Sequence, residues 1–503
     1  MAFDYFIYYG WRIYAWPVVL TVSGLLLLIL IFNFLRYSRI KPKRPSASPV
    51  AVTDEAAAEV AKSLGKLVAC KTVWRGGDSQ EEKDAFDELH NMLKNLYPGV
   101  HRVMKRVVVD EYSVIFRWKG EGNRRPVLFC GHFDVRDADE RWSVPPFEGR
   151  VTDDFVYGRG VFNCKGRVTA LLLAAESLIN SDFTPQCDIY FAFAHDGLTS
   201  ENAAERLAKY FKEQGVTFEA VFDEGGRIDM EVDFVQNPVA FVCVTEKSIL
   251  NVKLTARGMG SSTAEPPDHS AVGVLAEAVG RLEYAKFPLQ MTGIMRRAIR
   301  SLAPYMTAGA RMVVSNKWMF RGALNHHIRK HNDLSSLFRT TLSVTTVRGG
   351  ESDKELPVEA YATLNVRLMP DDDRKDVEAY LRAVLKGLNI DFEMTSESDQ
   401  PLTADTDSRL YHVIETSVYE CFGSIPVVPF LQTGCSAGRY FEGLCRNIFR
   451  FSPIPLTKDD RARAMGVDER IRVKSLGRSV EFYRLLYRNI SAGKTEADSW
   501  EKQ

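Results

Sequence analysis

The chain has 503 residues, of which 45% are hydrophobic and 26% are charged, so it is long enough for more than one domain and a large buried core. Lys plus Arg and Asp plus Glu both number 65, and this zero net charge argues against nucleic acid as a main partner. The eight cysteines include no CxxC pair, which argues against a zinc ribbon or a disulfide scaffold and is typical of reduced thiols.

An uncharged apolar stretch at residues 17–35 predicts one transmembrane helix, because about 20 apolar residues are needed to cross the hydrocarbon of a bilayer. A cleaved signal peptide is the alternative. The stretch is long for a signal peptide, however, and no small-residue cleavage site directly follows it. We therefore expect residues 1–36 to form an N-terminal region with a retained membrane anchor.

Basic residues flank this stretch unevenly, since five follow it within residues 36–44 and only Arg12 precedes it. The positive-inside rule then places the soluble part in the cytoplasm, with a lumenal location as the alternative. Residues 37–53 are rich in Pro, Ser and basic side chains, which predicts a short linker or a membrane-surface contact.

Apolar strands alternate with helical patterns through residues 54–245, which predicts an α/β layer with a mainly parallel sheet. Residues 54–96 have helical spacing, and residues 107–118 alternate like one strand. Ligands bind at the carboxyl ends of the strands in such sheets. His132 and Asp223 each follow a predicted strand end, so they are candidate site residues.

The pattern changes in residues 246–395, where the order of strands and helices predicts an inserted α+β domain. Residues 241–256 read as one strand at the start of this region. The α/β pattern resumes in residues 396–492, and residues 493–503 are a polar tail. The predicted fold is α/β, with one inserted α+β domain and one N-terminal transmembrane helix.

Several short motifs follow one another in order along the predicted α/β domain. They are Gly131-His132-Phe133-Asp134-Val135, Tyr157-Gly158-Arg159-Gly160, His195-Asp196, Phe222-Asp223-Glu224-Gly225-Gly226 and Gly466-Val467-Asp468-Glu469-Arg470. Together they resemble the M20 metallopeptidase family, most closely its carboxypeptidase S and N-fatty-acyl-amino acid hydrolase branch. The resemblance implies a catalytic-type α/β domain at residues 54–245 and 396–492 and a lid and dimerisation domain at residues 246–395.

The resemblance also implies a chemistry, which in this family is hydrolysis at two zinc ions. The metals polarise the scissile carbonyl and lower the pKa of a bridging water, and a Glu transfers the proton of that water. An Asp bridges the two ions, and further His or carboxylate ligands complete the site.

This sequence keeps some of those groups and lacks others. His132 matches the first metal-binding His, Asp134 matches the Asp that orients it, and Asp223 matches a carboxylate ligand. Asn163 stands where the family has the bridging Asp. Gly197 stands where it has the catalytic Glu.

Two further ligand positions are changed, because Leu198 replaces a Glu and Met465 replaces the last His. Zinc sites in proteins generally use at least three protein ligands, so we expect no cofactor, and any zinc would bind weakly. A shifted one-metal site that recruits Asp196, Glu201 or Cys164 is the alternative.

The inserted domain carries one further candidate. Arg367 matches the Arg that grips a substrate carboxylate, and its planar guanidinium suits bidentate binding of a small carboxylate ligand. A surface ion pair is the alternative role for this side chain. In the family this domain dimerises, which implies a homo- or hetero-dimer through residues 246–395.

Three functions remain open. The favoured one is a membrane-anchored pseudoenzyme with a binding, scaffold or regulatory role, because several catalytic groups are absent together while the folding motifs persist. The second is an active carboxypeptidase or N-acyl-amino acid amidohydrolase with a rearranged site. The third is a non-catalytic subunit that lends its inserted domain to an active paralogue.

Overall fold

The computed structural model describes residues 2–42, 49–162, 164–198, 202–260 and 263–492, with side chains from Trp16 onwards. Three sequence-based interpretations lie outside these residues: those for Asn163, for Glu201 and for the polar tail. The helices in the described ranges are α1 (Ala2–Ser38), α2 (Asp54–Ala69), α3 (Gln80–Leu96), α4 (Pro98–Val103), α5 (Lys165–Ile179), α6 (Asn202–Glu213), α7 (Ala271–Tyr284), α8 (Gly293–Leu302), α9 (Ala308–Ser315), α10 (Lys317–Lys330), α11 (Asn332–Ser336), α12 (Arg374–Val384), α13 (Arg409–Phe422), α14 (Lys458–Arg463) and α15 (Val473–Ser491).

The strands fall into three sheets. They are β1 (Lys105–Val109), β2 (Ser113–Trp118), β3 (Arg124–His132), β4 (Phe155–Tyr157), β5 (Cys187–Ala194), β6 (Ala220–Asp223), β7 (Arg227–Asp229), β8 (Val239–Glu246), β9 (Ser248–Arg257), β10 (Thr341–Gly349), β11 (Glu359–Leu368), β12 (Ile390–Glu397), β13 (Val427–Gln432), β14 (Ile448–Arg450), β15 (Pro455–Leu456) and β16 (Arg470–Arg472).

The largest sheet has ten strands in the order β1-β2-β5-β3-β6-β14-β8-β7-β15, with β13 beside β8. Its central strand β3 pairs in parallel with β5 and β6, which confirms the predicted α/β layer. Side chains alternate between its two faces. Phe129 packs under α2, α5, α13 and α15, whereas Leu128 packs with α6 on the other face. This layering brings the carboxyl ends of β3, β5 and β6 to one edge.

A smaller sheet has four antiparallel strands in the order β10-β11-β9-β12, and α7 and α12 cover it. These strands come from residues 248–397, within and just beyond the predicted inserted domain. Helices α8 to α11 also come from this region but pack elsewhere. Met295 and Ala298 of α8 lie in apolar clusters with Leu431 and Val428 of β13, so this helical part contacts the larger sheet.

Three predicted segments are each divided in two. The single strand predicted at residues 107–118 is wrong: it is the hairpin β1–β2, which turns at Asp110 with a φ of 65°. An Asp tolerates this left-handed conformation better than most residues. The strand predicted at residues 241–256 breaks at Lys247, where the chain passes from the larger sheet to the smaller. The helical pattern of residues 54–96 is likewise two helices, α2 and α3.

The long N-terminal helix α1 contains the predicted apolar span. Its segment Trp16–Ser38 is long and apolar enough to cross a membrane, a property that a signal sequence shares. The C-terminal part of this helix contacts α9, which is a contact between the N-terminal region and the inserted region.

Candidate functional site

His132 ends strand β3 and is almost fully buried. Its Nδ1 donates to Oδ1 of Asp134 at 2.9 Å, and its Nε2 lies 3.3 Å from Oε2 of Glu224. Burial alone would lower the pKa of His132, but the carboxylates of Glu224 and Asp134 raise that pKa well above its ordinary value. Nε2 of His132 thus faces the Glu224 carboxylate without a hydrogen bond to it, so two buried polar atoms lie opposite each other here.

Asp134 is fully buried and fixes the loop that follows β5. Its Oδ1 accepts a hydrogen bond from the backbone N–H of Gly197 at 2.8 Å, and its Oδ2 accepts one from the backbone N–H of Leu198 at 2.8 Å. Asp134 therefore bonds to His132 and to this loop at the same time.

Gly197 lies directly against His132. A Cβ atom added at Gly197 would stand 2.6 Å from Cβ and 2.9 Å from Cγ of His132. Real Cβ atoms do not approach other atoms so closely, so either His132 or the loop would have to move. With this backbone, the position that matches the catalytic Glu has no room for a side chain.

Asp223 ends strand β6 and is also fully buried. Its Oδ1 accepts from the backbone N–H of Glu224 at 2.8 Å, and its Oδ2 accepts from the backbone N–H of Gly438. Burial, and then the charge of Glu224, raise the pKa of Asp223. Both carboxylate oxygens of this retained ligand position are therefore already bonded to the backbone.

Two solvent-connected pockets meet at His132. The first places Leu198 and Met465, two of the changed ligand positions, beside His132. The second places Gly197 and Asp223 beside the same residue. The sequence-predicted site residues within the described ranges of the α/β domain thus converge on one place.

The residues present do not fit a two-zinc centre. Leu198 and Met465 offer no nitrogen or oxygen donor, and nowhere in the described residues do three His, Cys, Asp or Glu side chains come together as a metal-binding group. The alternative ligands are also engaged: Asp196 accepts from the backbone N–H of Ala203 at 2.9 Å. Burial raises the pKa of the Cys164 thiol to about 11, so the thiolate that a metal needs is disfavoured.

A second loop beside His132, residues 158–162, is held by Glu469. This Glu is 1% exposed and accepts from the backbone N–H groups of Gly160 at 3.2 Å and Phe162 at 3.1 Å. Nη1 of Arg159 donates to it at 3.3 Å. Sequence reasoning quoted Glu469 and Glu224 within motifs but assigned neither a role. Their buried position next to the matched residues is the signal that was missed.

Arg367 lies on β11 and reaches the edge of the second pocket. Its Nη1 is 3.1 Å from Sγ of Cys435, which lines that pocket, and its Nε donates to Oδ1 of Asn365 at 3.0 Å. Sequence reasoning left open whether Arg367 faces the cleft or an ion pair at the surface. The contact with Cys435 brings it to the cleft, together with His132 and Asp223.

The junction between the two sheets adds a second basic side chain near Arg367. Lys247 is 1% exposed, and its Nζ donates to the backbone carbonyl of Arg339 at 2.7 Å. Burial, and then the charges of Arg339 and Arg367, lower the pKa of Lys247 to about 7. The lasting positive charge at this junction therefore comes from the two Arg side chains.

Comparison with known proteins agrees with this architecture. The chain is 31% identical over 482 residues to the probable carboxypeptidase S-like 2 of Dictyostelium discoideum, covering 92% of both chains. It is 28% identical over 458 residues to the human N-fatty-acyl-amino acid synthase/hydrolase, covering 89% of this chain and 91% of the relative.

Two solved structures share the fold, each with a TM-score of 0.62. The M20 family metallo-carboxypeptidase Sso-CP2 of Sulfolobus solfataricus is 18% identical and is matched over 87% of this chain and 100% of its own. Human carnosine dipeptidase 1 is 15% identical and is matched over 92% and 99%. The sequence profile of peptidase family M20/M25/M40 matches residues 128–489, and the chain belongs to this family.

Proposed function

We propose that this chain is a membrane-anchored, non-hydrolytic member of the M20 family that binds a ligand in its cleft and acts through binding. The observation that carries the proposal is the contact between Gly197 and His132. The family's proton-transfer group is absent, and the backbone has closed over its place. A general base alone contributes about 10²–10⁴-fold to rate, so its loss removes much of the hydrolytic capacity.

Loss of the metals follows from the same geometry. Nε2 of His132 faces Glu224, and both oxygens of Asp223 are bonded to backbone N–H groups. A zinc ion would find only two of the five ligands at the family's positions, and both oxygens of one of them, Asp223, already accept backbone N–H groups. We therefore expect no tightly bound zinc.

The ligand that suits the cleft is a small molecule with a carboxylate. Arg367 supplies a planar guanidinium at the pocket edge, and the charge of Arg339 acts on the same junction. An N-acylated amino acid has such a carboxylate, and one of the relatives is named for N-fatty-acyl-amino acids. We propose this ligand class because the cation that would receive it persists while the cutting groups do not.

The membrane anchor rests on α1. The segment Trp16–Ser38 exposes apolar side chains along most of its length, and its last turns contact α9. A signal peptide that is cleaved has no need of a packed contact with the folded domain. The basic residues after the span favour a cytoplasmic cleft, and we propose that orientation. Protease protection of sealed vesicles tests this orientation.

The hydrolytic part of the proposal is tested on the full chain purified in detergent with added zinc. We expect clearly less than one tightly bound zinc per chain by mass spectrometry of the metal. We also expect no chelator-sensitive turnover of an N-fatty-acyl amino acid, with the human relative as positive control. Two tightly bound zinc ions, or turnover that His132→Ala abolishes, would establish the rearranged hydrolase instead.

The binding part is tested by calorimetric titration with the same N-fatty-acyl amino acid. Truncating one partner of a charge pair in a cleft costs about 2–5 kcal/mol, so Arg367→Ala should weaken binding at least tenfold. Arg348→Ala is the matched control, since Arg348 is an exposed Arg on the neighbouring strand β10. Equal affinity in both variants would contradict the role of Arg367.

A further inference from the structure

Helix α9 packs against the anchor helix α1, and helix α10 follows α9 after Asn316 alone. We call these two consecutive helices, residues 308–330, the α9–α10 segment. On α1, the partly covered side chains follow helical spacing along one face: Leu30, Asn33, Phe34, Tyr37 and Ser38. This face is the one from which contacts to α9 are made.

Hydrogen bonds to α1 show the direction in which α9 runs along it. Nη1 of Arg311 donates to Oγ of Ser38 at 3.4 Å, near the end of the apolar span. Farther along α9, Nδ2 of Asn316 donates to the backbone carbonyl of Leu30 at 3.2 Å. Helix α9 therefore runs antiparallel to α1, and Asn316 is next to a point well inside the span.

The depth of this point follows from helix geometry. Leu30 precedes Ser38 by eight residues, and at about 1.5 Å per residue the two differ in height by about 12 Å. The side chain of Asn33, polar within the apolar span, donates to Oδ1 of Asn316 at 3.0 Å. Asn316 itself is fully buried. A polar group at membrane depth needs such a partner, because no water is available to satisfy it.

The side chains that follow Asn316 suit a lipid environment. Trp318 is 53% exposed and Met319 is 50% exposed, although both are large and apolar. They are flanked by Lys317 and Arg321, which are also exposed. An exposed Trp beside cationic side chains is the composition of the interface between acyl chains and headgroups.

The charge of the surrounding sequence has one sign. Residues 284–332 contain nine Lys or Arg and no Asp or Glu, although the whole chain is neutral. The segment that follows the span in α1 is basic as well, with Arg36 and Arg39. Arg36 and Arg39 lie at the same end of α1 as Arg311, which contacts Ser38, and a leaflet that contains anionic phospholipid would attract them.

We propose that the α9–α10 segment is a second membrane-contact element. It inserts the start of α10 into the leaflet at the C-terminal end of α1 and binds anionic phospholipid there. Trp318 and Met319 enter the acyl-chain boundary, and Lys317 and Arg321 contact the phosphates. This inference rests on the proposed anchoring by α1. It adds that the inserted region, and not only the anchor, contacts the bilayer.

The test places a photo-crosslinking amino acid at single positions of the full chain, reconstituted in phosphatidylcholine vesicles with a minor fraction of phosphatidylserine. The phospholipid carries a tag for detection. The test positions are Trp318 and Met319. Leu27, which is exposed in the middle of α1, reports on the anchor. Val358 is 63% exposed and lies outside the α9–α10 segment, so it is the matched control within the inserted region.

We expect lipid cross-linking at Trp318 and Met319 to be several-fold higher than at Val358 and close to that at Leu27. If these two positions behave like Val358 while Leu27 cross-links lipid, the α9–α10 segment does not enter the membrane, and only anchoring by α1 is supported. If Leu27 also fails to cross-link lipid, the proposals for the anchor and for the α9–α10 segment are both overturned. The two failures are therefore distinguishable.

The charge requirement has its own arm. Lys317→Glu combined with Arg321→Glu should lower cross-linking at Met319 several-fold in the vesicles with phosphatidylserine. Arg348→Glu, at an exposed strand position outside the α9–α10 segment, should leave the cross-linking at Met319 unchanged. Both sets of side chains are exposed, so the fold has no need of them. Equal yields in the two variants would overturn the binding of anionic lipid.

Discussion

Two loops border His132, and they differ in what they retain. The loop at residues 158–162 keeps its motif and is held by Glu469 through two backbone N–H groups and Arg159. The loop at residues 195–198 has Gly and Leu in place of two carboxylates and turns its N–H groups to Asp134. In the first loop the retained groups support the backbone, whereas in the second loop the two changed positions are ones that match carboxylates of the family's metal site.

Of the two carboxylates that hold these loops, Glu469 and Asp134, Glu469 should cost more folding free energy when it is removed. Glu469→Ala leaves two backbone N–H groups without their acceptor and Arg159 without its carboxylate partner, although Arg159 keeps its bonds to the carbonyls of Gly466 and Asp137. Breaking such a buried pair costs about 3–5 kcal/mol. Denaturant unfolding of the full chain in detergent measures this loss. Glu140→Ala, at an exposed Glu, is the control. A loss below about 1 kcal/mol would show that this loop does not depend on Glu469.

Asp134→Asn tests the support of the second loop. The variant removes the negative charge that accepts from His132, Gly197 and Leu198. Hydrogen bonds to a charged group contribute about 1.5–3 kcal/mol each, and the Asn amide keeps one acceptor, so we expect a net loss of about 2–3 kcal/mol. The same unfolding assay applies, with Asp153→Asn as the exposed control. If Asp134→Asn costs as little as that control, the loop is not held by this carboxylate.

Gly197→Ala tests whether the second loop has closed over the catalytic position. Its Cβ would meet His132 at 2.6 Å, and forcing extra atoms into a packed site costs about 1–3 kcal/mol. Gly197→Glu should cost at least as much and restore no hydrolysis. Gly434→Ala is the matched control, because a Cβ there meets nothing within 4 Å. A Gly197→Ala variant as stable as this control would show that the site is open.

The effect at the junction, outside both loops, is the smallest when it is expressed per pH unit. Burial lowers the pKa of Lys247 to about 7, so above pH 7 the unfolded chain holds a proton that the folded chain has released. Stability should therefore rise from pH 7 towards pH 10, by at most about 1.4 kcal/mol per pH unit. Lys247→Met should remove this rise in pH-dependent unfolding. A variant with the same slope as the unaltered chain would contradict the assignment.

The motifs predicted much of the site because they are local. His132 and Asp223 follow buried strands, and parallel strands bring such residues to one edge. The family resemblance then located Leu198 and Met465 beside them. These placements depend on the order of elements along the chain, which the alternation of strands and helices specifies.

Contacts between distant side chains were beyond the reach of such patterns. The approach of Glu224 to His132 depends on the space that the loop leaves, and the closure at Gly197 depends on where that loop settles. Asn33 and Asn316 are 283 residues apart, so no periodicity relates them. Asp110 was missed for another reason, because apolar alternation continues across a turn that one left-handed residue makes.

Under the proposed non-hydrolytic function, the fit of Gly197 against His132 hinders the return of a Glu at this position. A single substitution back to Glu meets His132 first, and the new carboxylate finds neither a bridging Asp nor the two further ligands. Each intermediate sequence would combine a strained loop with an incomplete site. A return to hydrolysis would therefore require several simultaneous changes, because no single substitution would by itself produce a working site.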